Sequence, residues 1–168
     1  MIQSSETIRY KRIGVTRGHT NLVNALAFKS GNGRELVTGG FDCSCYLWDT
    51  STGKPKASIT LSHLDTFEQL DTGGKEGEEG GKSGGIQSSG ASQMFNPPYV
   101  QALNFVCKDK GVACGLGDGS IRVLNAKDLT QVSAVPGAHN GMITCMYTTH
   151  IEWGGNGGGM NFIVSGGK

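Results

Sequence analysis

The chain has 168 residues, 36% of them hydrophobic and 17% charged, with a formal net charge of +1. That length suits a single domain, no apolar run approaches the ~18 residues a membrane helix requires, and so weak a charge gives no case for a nucleic-acid partner. Glycine fills 28 positions without a Gly-X-Y period, which excludes collagen and points to short strands joined by many turns.

Residues 1–17 are expected to hold the last strand of a preceding unit, over TIRYKRIGV at 7–15, or an N-terminal extension. A first unit, 18–61, reads GHTNLVNALAF and then ELVTGGFDCSCYLWD, with strands predicted at 22–28, 35–39, 44–48 and 56–61. Residues 62–95 follow, rich in glycine and serine, with six acids against Lys75 and Lys82, a net of −4. Such a segment buries too little apolar surface to offset its ordering entropy and is expected to be a disordered, tolerated insert. Ser83, Ser88 and Ser89 are its candidate phosphorylation sites. A second unit, 96–136, predicts strands at 99–106, 111–115, 119–124 and 129–135. A third, 137–168, predicts strands at 142–147 and 160–165 around a long glycine-rich loop at 148–159.

The three units are in register. His19, Asn96 and His139 each precede a β-branched residue (Val23, Val100, Ile143) by four. Asp42 precedes Trp48 by six, as Asp118 precedes Leu124, and Thr38 precedes Asp42 by four, as Cys114 precedes Asp118. The 43 residues from Asn96 to His139 match a four-stranded repeat of about 40–45 residues. The 77 from His19 to Asn96 exceed it by almost the length of the acidic segment.

The Gly18-His19 opening and Trp48-Asp49 close of the first unit resemble the WD-repeat family. The resemblance implies an all-β fold, a partial WD40 β-propeller of about 2.5 four-stranded antiparallel blades. It also implies a buried hydrogen-bond relay on Asp42, His19, Thr38 and Trp48. The chemistry suits those types: indole N–H only donates, a hydroxyl accepts and donates, and imidazole passes a donor to a carboxylate. The second unit departs from this pattern, with Asn96, Cys114 and Leu124 at three of the four positions and only Asp118 kept. The third keeps His139 and Ser165, and its expected Asp would fall just past Lys168. A ring needs roughly four to eight blades, so the chain is expected to be a piece of a longer protein.

The acidic insert after the first unit, the following NPPYVQAL and the non-WD second unit resemble, in that order, the C-terminal half of the WD repeat-containing protein 53 family. That resemblance implies association with cullin-4 ubiquitin ligases through the adaptor damaged-DNA-binding protein 1. The W-D-x-R pattern of such receptors is not met: Trp48-Asp49-Thr50-Ser51 ends in serine, and Leu124-Asn125-Ala126-Lys127 lacks Trp and Asp. The expected function is a non-enzymatic protein-interaction scaffold. The alternatives are a propeller-based enzyme and a chromatin or nucleic-acid reader.

No catalytic, cofactor or metal residue is expected, and neither a small-molecule substrate nor a membrane. His19, Asp42 and Thr38 are read as the relay rather than a catalytic group. Gly81-Lys82-Ser83 lacks the upstream glycine of a phosphate loop, Glu76 standing there. Cys43-x-Cys45 has no second pair at zinc spacing. His63 and His150 are read as solvated. The cysteines are read as reduced, and with no signal-like opening the expected location is cytoplasmic or nuclear. Asn21, Leu22, Phe41 and Gly117 are the candidate partner contacts on the top rim, where strand b turns into strand c.

Overall fold

Runs of β-branched and aromatic residues separated by glycine-bearing turns make strands that pair each with the next, and every described element is a strand. The computed structural model describes residues 17–31, 33–62, 96–152 and 159–167. The expected strand at 7–15, and the expected insert beyond Ser62 with Ser83, Ser88, Ser89 and His63, lie outside the described residues. The first sheet holds β1 (Val23–Phe28), β2 (Glu35–Gly40), β3 (Ser44–Asp49) and β4 (Lys54–Thr60), antiparallel in that order. The second repeats it with β5 (Val100–Val106), β6 (Gly111–Leu116), β7 (Ile121–Asn125) and β8 (Gln131–Val135). β9 (Ile143–Glu152) and β10 (Gly159–Gly167) form an antiparallel pair. Among the described residues no helix is long and apolar enough to cross a membrane.

The repetition reaches the irregularities. Register shifts between Val23 and Ala25 in β1, and between Val100 and Ala102 in β5. Each bulge twists the first strand of its sheet at the same point. The turn after β6 uses Gly119 at φ +80°, while Cys43 takes the matching place after β2 at φ +59°, a conformation that glycine adopts without strain.

The core lies between sheets rather than within one. One face of the first sheet gives Val37, Cys45 and Leu47; the facing side of the second gives Val100, Leu103, Phe105, Val112, Cys114 and Leu124. Cys45 and Cys114 meet there with sulfurs 3.8 Å apart as free thiols. The reverse face of the first sheet leaves Leu26 and Phe28 exposed, and the last pair leaves Tyr147 and Val164 exposed. Gly39 sits where β2 approaches β5: a Cβ there would lie 2.6 Å from Val100 Cβ. Gly115 repeats this against Ile143, at 2.6 Å from its Cγ2.

The third unit corrects one expectation. Of the loop expected at 148–159, the first five residues and the last are strand, because β9 runs on to Glu152 and β10 starts at Gly159, while 153–158 lie outside the described residues. Thr148 pairs with Ile163 and Thr149 with Phe162, so β-branched and aromatic residues facing each other extend the ladder through a stretch whose glycines suggested a loop.

Candidate functional site

The first sheet brings His19, Thr38, Asp42 and Trp48 together. Trp48 Nε1 donates to Thr38 Oγ1 at 2.7 Å, and Thr38 Oγ1 lies 2.8 Å from His19 Nε2. His19 Nδ1 lies 3.0 Å from both carboxylate oxygens of Asp42. Since indole can only donate, the hydroxyl accepts from Trp48 and donates to Nε2, which leaves Nδ1–H for the carboxylate. Asp42 also accepts the backbone N–H of Thr20 at 2.8 Å and of Ser44 at 3.1 Å. The His19 and Asp42 side chains are 5% and 8% exposed. Gly18 completes the assembly because any Cβ there would lie 2.6 Å from the Trp48 ring. Tyr46 stacks on Trp48 at 5.4 Å and meets His19 edge-on at 4.6 Å, and its hydroxyl donates to Gly18 O. Both ring nitrogens of His19 and the hydroxyl of Thr38 are thus engaged within the relay.

Burial pushes the Asp42 carboxyl up, but the bond from His19 and the amides of Thr20 and Ser44 outweigh it and hold its pKa below the usual carboxylate range. A depressed folded pKa gives stability that is fully present above the unfolded value, near 4, and is lost as pH falls through the folded value. Urea midpoints measured from pH 7 downward are therefore expected to be flat until about pH 4 and then to fall. Asp42→Asn should flatten the acid limb; an unchanged limb would show that this carboxylate does not control it.

Around the relay, the turn after β2 carries Phe41. Its ring packs 5.2 Å from that of Tyr99, at the entry to the second sheet. Asn21 and Leu22 are exposed beside it, with Asn21 Oδ1 accepting the Leu22 N–H. Gly117, by contrast, is buried under Pro97 and Tyr99 and donates its N–H to Tyr99 O. It presents no surface of its own, and Tyr99, which sequence reasoning missed, stands over it. The two-proline NPPY segment was the available signal, since it places an aromatic at the mouth of β5.

In the second sheet Cys114 and Leu124 fill the hydroxyl and indole positions and pack in the core. Asp118 Oδ1 accepts from the Ser120 amide and hydroxyl. Sequence reasoning also missed Arg122, 3% exposed, which reaches Gln131 Oε1 and Ser62 O. In the third unit His139 Nε2 lies 2.9 Å from Ser165 Oγ. Cys43 and Cys45 are not brought together as a ligand pair, since Cys45 is buried against Cys114 while Cys43 sits in the turn. Among the described residues no group of three or more His, Cys, Asp or Glu side chains is arranged to hold a metal ion. His150 Nδ1 lies 3.0 Å from Asn161 Oδ1.

Four-stranded antiparallel sheets stacked face to face, with a Trp–Thr–His–Asp relay in the first, define blades of a WD40 β-propeller. Residues 10–49 match the family described as WD domain, G-beta repeat. The chain is similar to the WD repeat-containing protein 53 homolog of Dictyostelium discoideum, 27% identical over 82% of this chain and 36% of that protein. Among solved structures it resembles U3-55K, with TM-score 0.52 and 17% identity over 77% of this chain and 31% of that one. It also resembles the WD40 repeats of RRP9, with TM-score 0.52 and 15% identity over 77% of this chain and 30% of that one. The chain therefore spans about a third of the length of the proteins it matches.

Proposed function

We propose that these blades are part of a non-enzymatic scaffold that takes a protein partner on the rim formed by Asn21, Leu22, Phe41 and Tyr99. WD40 repeats generally serve protein–protein interaction. The observation that carries the reading is the Phe41–Tyr99 contact, which places two aromatic rings across a blade boundary beside an exposed Leu22. Aromatic side chains on a rigid support are the usual anchors of protein interfaces. The relay residues bond chiefly to one another and to the backbone, which suits a structural role. The unbonded thiols of Cys45 and Cys114 suit a reducing compartment, and so a cytoplasmic or nuclear location.

The narrower reading, docking to damaged-DNA-binding protein 1 in a cullin-4 ligase, rests on family resemblance. At the position of the docking arginine, the amide and hydroxyl of Ser51 both donate to Asp49 Oδ1. That turn is closed on itself, so the blade 1 site offers such an adaptor no guanidinium.

The test is affinity purification with the full-length protein, comparing wild type with Leu22→Glu and Phe41→Ala. Both variants are expected to lose a defined partner at least about tenfold, as for a hot-spot contact above 1.4 kcal/mol. Leu22 is 68% exposed, so Leu22→Glu should leave the unfolding midpoint unchanged. Undiminished recovery with both variants would sink the rim as the site. The cullin-4 adaptor is scored separately, and its absence would remove only the ligase reading.

A further inference from the structure

We infer that Arg122 is a strap between blades: it holds the carbonyl of Ser62, the point where the chain leaves the first blade, and so keeps the rim in register whatever sequence follows Ser62. Arg122 lies on β7, directly across from Cys114. Tyr46 holds the same place in the first blade, across from Thr38. Tyr46 donates its hydroxyl to the carbonyl of Gly18, the residue just ahead of His19. Arg122 Nη2 donates to Ser62 O at 2.8 Å. Gly18 lies just ahead of the relay histidine of the first blade, and Ser62 lies two residues past the end of β4. Two unlike side chains at one repeat position thus each hold a backbone carbonyl beside their blade.

The choice of arginine follows from reach and from what the second blade lacks. Three of its four relay residues are gone, and Cys114 and Leu124 there offer no strong donor. Nη1 of Arg122 is anchored by Gln131 Oε1 at 2.8 Å, which aims Nη2 at Ser62. Among the described residues Nε has no partner. A guanidinium that is 3% exposed, bonded to two neutral acceptors, with its own Nε orphaned and the charge of Asp118 offsetting only part of its burial, is a poor source of stability, because apolar residues of similar volume often serve as well. Its presence is explained by the carbonyl it positions. Leu61, one residue earlier, is bonded through its N–H to Cys43 O in the turn that carries Phe41, so the strap also steadies the rim.

Hydrogen exchange of the full-length protein tests this. In Arg122→Phe, amides at 59–62 are expected to exchange about tenfold faster, while those of β6 stay within about twofold of wild type. Arg122→Tyr should restore protection, since its hydroxyl can donate to Ser62 O as that of Tyr46 does to Gly18 O. A role in packing alone would treat Phe and Tyr alike, so equal exchange in the two variants overturns the strap. If Arg122→Phe does not fold, Gln131→Leu provides the second arm: exchange at 59–62 should rise about threefold, and wild-type exchange there would overturn the proposal equally.

Discussion

Asp42→Ala is expected to destabilise the protein by about 3 kcal/mol, read as a lowered urea midpoint at pH 7 with an unchanged slope. The carboxylate collects His19 Nδ1–H and the backbone amides of Thr20 and Ser44. Removing it leaves three donors without acceptors in a site where His19 is 5% exposed. Hydrogen bonds to a charged group contribute about 1.5–3 kcal/mol each, and an orphaned buried donor costs about 1–3; partial rehydration of Thr20, which is exposed, keeps the total near the lower end of their sum. Against a whole-domain stability of roughly 5–15 kcal/mol that is a large share. The loss should also couple to the far end of the relay: Trp48→Phe in the Asp42→Ala background should cost less than Trp48→Phe alone, because the chain it terminates is already broken. A loss below about 1 kcal/mol would mean that solvent replaces the relay at little cost.

Gly39→Ala is the second large effect, expected at about 2–3 kcal/mol. The added methyl would stand 2.6 Å from Val100 Cβ and 3.1 Å from Leu103 Cδ1. Val100 is fully buried, and its clashing atoms sit on or next to its backbone. No rotamer change withdraws a Cβ, so the two blades must separate or shift. Chemical denaturation of Gly39→Ala, Val100→Ala and the double variant measures this directly. The double variant should be more stable than the two single losses predict, because Val100→Ala removes Val100 Cγ1, the atom nearest the new methyl, although Val100 Cβ stays. Simple additivity would show that the blades absorb the methyl elsewhere.

Much of this architecture was legible because a repeat states its register several times over. The spacings of His19, Thr38, Asp42 and Trp48 located the four strands of the first blade to within about two residues, the usual uncertainty of strand ends, and predicted which side chains would converge. The second blade was legible by analogy, since its strands keep the spacing after three of four relay residues are gone. The end of β9 was hidden because glycine at 154–159 outweighed the β-branched signal of Thr148, Thr149 and Ile151. Arg122 was hidden for a different reason. In IRVLN, alternation alone would send one face to solvent, yet the sheet is covered on both faces, by the first blade and by β9. An arginine inside an apolar run is then buried, and only the stacking reveals what it reaches. Tyr99 and Gly117 show the same limit on the rim: the turn was placed correctly, but which residue lies over which depends on the approach of two segments.

Because the apolar core belongs to the junction between blades, its formation is a long-range event in the chain. Asn24 and Gln101, which bond across that junction, are 77 residues apart. Neither blade can bury its inner face until that span has closed, and residues 63–95 account for much of it. The entropy of closure grows with the logarithm of loop length, at about 0.6 kcal/mol per doubling. Joining Ser62 directly to Asn96 would nearly halve the span and is expected to speed formation of the junction by about two- to threefold.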